Sequence, residues 1–166
     1  MITILHISDL HIHSNYDQDQ VLDKFLDDLK NQEKIDLVVC SGDIFAKGNY
    51  NKSIVEYAQN FFHKLNKITN NAEIILCAGN HDVNLKIRDS IFSSIFDIKD
   101  HKAAVNLFDK LYHEPKKDLL AHLSDYNDFA STIVNIPLEN KIFFTKSITI
   151  NNQNIGIASL NTSWLT

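Results

Sequence analysis

Two cysteines, two prolines and four glycines are all that 166 residues provide of these types, and each scarcity excludes something. Cys40 and Cys77 both lie inside apolar runs, so there is no disulfide framework, and the two thiols read as reduced core residues. No Gly/Pro/Ser-rich linker divides the chain and no internal repeat is found. Basic charge is short as well. Sixteen Lys and Arg stand against 21 Asp and Glu, a net charge of -5, so the broad basic surface needed for non-specific nucleic-acid binding is missing. No apolar run is long enough to span a membrane. The N-terminus lacks a basic start, and His6 and Asp9 interrupt its apolar stretch, unlike a signal peptide. A soluble, cytoplasmic protein with no membrane partner is expected. The rest is ordinary for a globular protein: 44% hydrophobic and 22% charged, at a length that suits one domain with a real core.

What is present is a set of polar clusters, each closing an apolar run. The run from Ile2 to Ile7 is dominated by β-branched residues and hands over to Ser8-Asp9-Leu10-His11. In an extended segment residues i and i+2 point to the same side, so Asp9 and His11 can reach one ion. The run from Ile35 to Val39 closes on Cys40-Ser41-Gly42-Asp43, and the run from Ala72 to Ala78 closes on Gly79-Asn80-His81-Asp82. Read as parallel strands, the runs bring Asp9, His11, Asp43, Asn80 and His81 to one rim, since ligands of open α/β sheets collect at the carboxyl ends of the strands. His6, Cys40 and Cys77 each lie three residues before a proposed ligand and are expected to be level, with His6 a satisfied core histidine.

Helical patterns separate the strands. Val21, Leu22, Phe25, Leu26 and Leu29 recur at helical spacing, with Asp17 or Asp19 as a cap. Ile54, Ala58, Phe61, Phe62, Leu65 and Ile68 mark a second amphipathic face, ended by Asn70-Asn71. The resulting strand-helix-strand-helix-strand order predicts a parallel sheet with right-handed crossovers. Residues from about 84 to 131 read as a helical insertion, with Ile87, Ile91, Ile95 and Phe96 in one segment, Ala104, Leu107, Phe108 and Leu111 in another, and Leu119, Leu120, Leu123 and Tyr126 in a third beyond Pro115. Its place after the third cluster allows either a lid over the rim or a plain packing layer. The histidines of this block are expected to face solvent. Lys141 to Ile150 and Gln153 to Asn161 flank Asn151-Asn152 and predict a hairpin that opens a second, largely antiparallel sheet.

Carboxylate, amide oxygen and imidazole donors suit borderline or hard divalent cations such as Mn, Fe, Zn or Mg. Two such ions roughly 4 Å apart bind both the attacking and the leaving oxygen of a phosphoryl group. No Ser-His-Asp or Cys-His grouping stands out instead. Asp9-Leu10-His11, Gly42-Asp43-Ile44-Phe45-Ala46-Lys47-Gly48 and Gly79-Asn80-His81-Asp82 resemble the first three motifs of the calcineurin-like metallophosphoesterases in order, spacing and strand-end placement. The resemblance covers about the first half of the chain. It implies an α/β fold, a four-layer α/β/β/α metallophosphoesterase sandwich, here a single domain over 1–166. It implies Asp9 and His11 on one metal, Asp43 bridging, Asn80 on the second, His81 near the leaving group and Asp82 orienting it. Gly42 and Gly79 would be places where only backbone approaches the ions.

The family also supplies a later lone His and a Gly-His-x-His motif, and neither occurs here. The second metal site is therefore expected to be weak or empty and the second sheet truncated, leaving apolar surface and an unpaired edge. The chain reads as the front part of a longer phosphoesterase, or as one that needs a partner chain. The implied activity is metal-dependent hydrolysis of phosphoesters, phosphodiesters first, by a two-metal-bridged hydroxide. Nucleotides, cyclic nucleotides and nucleic-acid ends all remain open as substrates. A catalytically silent scaffold or an effector domain of a larger protein is the alternative.

Overall fold

Four residues suffice for the central strand because both its faces are covered. Leu37, Val38 and Cys40 are buried and Val39 is half-buried, a near-continuous apolar run of the kind a parallel sheet demands. A computed structural model of the chain describes residues 1–13, 16–89, 100–113, 117–134, 143–161 and 163. In it β1 (Ile4–Ile7), β2 (Leu37–Cys40) and β3 (Glu73–Leu76) form a parallel sheet in that order. Helices α1 (Tyr16–Leu29) and α2 (Lys52–Ile68) make the two crossovers. The strand-helix alternation thus gives a mixed α/β protein with a parallel sheet, as its pattern predicts.

The buried face of α2 consists of Ile54, Ala58, Phe61, Phe62 and Leu65, with Ile68 partly buried beside them, the stripe that 3.6-residue spacing marks out. On α1, Leu22 and Leu26 are buried but Val21 is 66% exposed, because the seam with α2 is narrower than the apolar stripe. Helix α1 runs from Tyr16, which places Asp17 and Asp19 in its first turn; the Asp17 side chain lies outside the described residues.

Past residue 84 comes a helical stretch at 85–89, and α3 (His101–His113) follows. Residues 90–99 and 114–116, which include Ile91, Ile95, Phe96 and Pro115, lie outside the described residues. A 3-10 segment (Lys117–Leu123) and α4 (Ser124–Ile133) bury Leu120, Leu123, Tyr126, Phe129 and Ala130. Phe129 meets the rings of Phe45 and Phe62 at centroid distances of 4.8 and 6.0 Å. These residues are packed core. His122 belongs to it and is 2% exposed, contrary to the expectation of a solvent-facing ring, since its backbone carbonyl accepts a bond from Asn84 N at 2.8 Å and draws the segment inward.

Strands β4 (Phe143–Ile150) and β5 (Gln153–Leu160) pair antiparallel around Asn151 and Asn152, whose φ angles of +49° and +61° are those a tight two-residue hairpin turn requires. The hairpin meets the first sheet through Lys146 on Glu73 and through Cys77 Sγ, 3.3 Å from Leu160 O.

Two expectations about the strands fail. The register sets Ile7 level with Cys40 and Leu76, and His6 level with Val39 and Ile75, so His6, Cys40 and Cys77 do not share a row. The loops differ in length: Asp9 lies two residues past the end of β1, Asp43 three past β2 and Asn80 four past β3. Nor is His6 a core residue. It is exposed on the edge strand, its Nε2 2.8 Å from Ser41 Oγ, on the same face as Ile4, which is 54% exposed. Cys40 is fully buried, which pushes its thiol up to about 12, whereas Cys77 is half-buried.

Asp36 ties β1 to the start of β2. Its Oδ2 accepts Thr3 N at 3.0 Å and its Oδ1 lies 2.8 Å from Lys34 Nζ. The Lys34 ammonium and the Thr3 amide hold this carboxyl below its ordinary value. A carboxyl whose folded value is depressed contributes stability above its unfolded value and loses it as pH falls through the folded one. Unfolding free energy measured by denaturant titration down the acid range should fall less steeply in Asp36→Asn than in the parent chain. Parallel slopes would show that this tie contributes nothing.

Candidate metal centre

The loops that follow β1 and β2 stay together after the strands end. Asp9 N donates to Gly42 O at 3.1 Å, His11 N to Asp43 O at 2.9 Å and Ile12 N to Ile44 O at 2.7 Å. Ile12 and Phe45 then form one more parallel bridge. Between these anchors Asp9, His11 and Asp43 hold φ angles of +55°, +44° and +56°. Such left-handed backbone costs a non-glycine residue about 1–3 kcal/mol and clusters at functional sites. The extended geometry expected for Asp9 and His11 is therefore absent. Two left-handed residues replace it, and the side chains still meet, with Asp9 Oδ1 3.7 Å from His11 Nε2.

Three side chains from three loops converge. His11, Asp43 and His81 each offer one ligand atom, and these atoms all lie within 4.8 Å of one another. The rings of His11 and His81 meet edge to face with centroids 4.6 Å apart. His81, read from the sequence as a leaving-group residue, thus lies at ligand distance from Asp43. Asp9 joins the group through His11. Asn80 is exposed, and with Asp9 and Asp43 it lines a cavity of about 500 Å³ beside the group.

The glycines explain how the loops come so close. A Cβ on Gly79 would stand 2.1 Å from Asp43 Oδ1 and 2.5 Å from Asp43 N. Gly42 has φ +125°, and its Cβ would stand 2.6 Å from Gly79 N. The two glycines make room for each other and for the Asp43 carboxylate, so the second and third loops can approach closely. Asp43 Oδ1 also accepts His81 N at 2.8 Å, so the third loop fixes the carboxylate of the second.

Asp82 is fully buried and its bonds go to backbone. It accepts Phe45 N at 2.8 Å, Gly79 N at 2.9 Å and the amide of Asp43. Burial raises its carboxyl to about 6, with the amides of Gly79 and Phe45 opposing the rise. Its carboxylate joins the second and third loops and stands next in the chain to His81, which the resemblance has it orienting. Tyr50, which no spacing singled out, donates to Asp82 O at 2.6 Å and packs its ring on Phe45 at 4.4 Å. An aromatic residue two positions past Gly48 carries no pattern by which sequence alone could have found it.

The donor set of oxygen and imidazole nitrogen on partly exposed loops fits a divalent cation of the borderline or hard kind. His11, Asp43 and His81 have the spacing to share one, with Asp9 alongside. Strand-end placement and donor chemistry together define a metal-binding α/β protein. A family model of the calcineurin-like phosphoesterases matches residues 2–162, and the chain belongs to that family. The family's general chemistry is metal-dependent hydrolysis of phosphoesters. No match to a curated protein was found. Among the described residues, no helix is long and apolar enough to cross a membrane.

Proposed function

We propose that this chain hydrolyses phosphodiesters at a two-cation centre, with Asp9 and His11 on one ion, Asp43 shared between both and Asn80 on the second. The observation that carries the proposal is that His11 and Asp43, two of the proposed ligands, and His81, the proposed proton donor, bring side-chain atoms within 4.8 Å of one another from three separate loops. When bound, the ions would lower the pKa of a water and neutralise charge on the phosphoryl group. The chain's own residues do the rest. Asp43 has one oxygen anchored by the His81 amide, which holds the carboxylate beside His11 and His81. His81 stands beside both His11 and Asp43, where its ring can hand a proton to the departing oxygen. Asp82 keeps the loops of Asp43 and His81 in mutual register. We take the three-stranded sheet and the hairpin as the inner layers of an α/β/β/α sandwich, supported by the Cys77–Leu160 and Glu73–Lys146 contacts between them. Mn, Fe, Zn and Mg all suit the donors, and the second ion is the weaker held.

Metal removal tests this directly. The chain supplied with Mn(II) should cleave a generic aryl phosphodiester, lose that activity on chelation, and regain it when Mn(II) is restored. Metal analysis of the loaded protein should find at least one ion per chain. No bound ion at saturating Mn(II) and no hydrolysis would sink the proposal and favour a silent scaffold.

A further inference from the structure

The carboxamide of Gln18, early in α1, is spent entirely on the loop that carries the first two candidate ligands. Its Nε2 donates to Leu10 O at 2.7 Å and to His11 O at 3.1 Å. Its Oε1 accepts His13 N at 3.0 Å. His13 adds a local contact, with its Nδ1 2.7 Å from His11 O. The loop needs such a hold, because Asp9 and His11 both sit at positive φ and the chain does not choose that conformation unaided. The second loop binds it on one side, through His11 N and Ile12 N. Gln18 binds the carbonyls and the amide that those bonds leave over. Only a carboxamide suits this duty: two donors for two carbonyls and one acceptor for an amide, where a carboxylate has no donor and an ammonium no acceptor.

We propose that Gln18 is a positioning residue for the cation ligands of the first loop, holding the backbone turn that sets the His11 ring against Asp43 and His81. The proposal rests on reading His11 as a metal ligand. Loss of an outer-shell partner that orients a ligand typically costs about 10–100-fold in metal affinity.

The test compares Gln18→Ala and Gln18→Glu with the parent chain. The control is Gln59→Ala, which removes a bond from α2 to Thr132 on α4. Mn(II) alone is titrated into each protein, and backbone hydrogen exchange at residues 10–13 is followed without metal. Gln18→Ala should bind Mn(II) about tenfold more weakly. Gln18→Glu should be at least as weak, since it sets a carboxylate against two carbonyl oxygens. Both should exchange faster through the loop, while Gln59→Ala matches the parent in both measurements. Faster exchange with unchanged Mn(II) affinity would make the carboxamide a merely structural tie and overturn the positioning role. Unchanged exchange and affinity would overturn it outright. A parent chain that takes up no Mn(II) would sink the cation reading itself and this role with it, an outcome visible before any variant is compared.

Discussion

Asp43→Asn should abolish phosphodiester hydrolysis while leaving the fold intact. Asparagine is the most forgiving substitute at this position. It tolerates the φ of +56° better than other side chains, and its Oδ1 can still accept the His81 amide as the carboxylate does. What it removes is the negative charge and the second anionic oxygen where His11 and His81 converge. Replacing an outer-shell partner costs up to about a hundredfold in affinity or activity, so loss of a shared ligand should cost at least that much. The readout is kcat/KM on an aryl phosphodiester with saturating Mn(II), beside a thermal melt of the metal-free protein. Activity within tenfold of the parent at an unchanged melt would defeat the two-cation account.

Asp82→Ala should have the opposite profile, a large loss of stability before any question of activity arises. The carboxylate is fully buried and serves the amides of Phe45 and Gly79. Removing it leaves these two donors, and the Asp43 amide beside them, without that acceptor; the first two alone, at about 1–3 kcal/mol each, make the expected cost about 2–6 kcal/mol. Set against the ~5–15 kcal/mol that holds a typical domain together, this threatens folding at ambient temperature. Part of the carboxylate's benefit is already offset by its own burial, which is why its pKa rises to about 6. Asp82→Asn, which keeps one acceptor but turns an NH2 toward a donor, should therefore cost less than Asp82→Ala. Urea unfolding of the three proteins would show the ranking. Equal midpoints would mean that the carboxylate does not tie the loops.

The contrast between Asp43 and Asp82 shows how far the residues could be read without coordinates. Both close an apolar run, and both stand one or two positions from a histidine or glycine. Nothing in their spacing says that one faces a half-open centre while the other is buried beneath it. The buried face of α2 was legible because helical period and apolar residues coincide over about four turns of chain. The Asn151-Asn152 turn was legible because asparagine is one of few residues at ease with positive φ. His6 misled, because an apolar run looks the same on an edge strand as on a central one. His122 misled because the three-residue period of a 3-10 segment differs from the α-helical period read along this stretch.

The order of the chain by itself determined that three polar clusters follow three strands and that helices return the chain between them, since local periodicity and parallel topology leave few other arrangements. Tertiary structure alone decided the rest: the left-handed turns at Asp9, His11 and Asp43, the glycine pair that lets Gly79 pass over Asp43, and the carboxamide of Gln18 reaching back to the first loop. These depend on contacts between residues far apart in the chain or on strain that only packed neighbours can hold, and neither is written in the spacing of residue types.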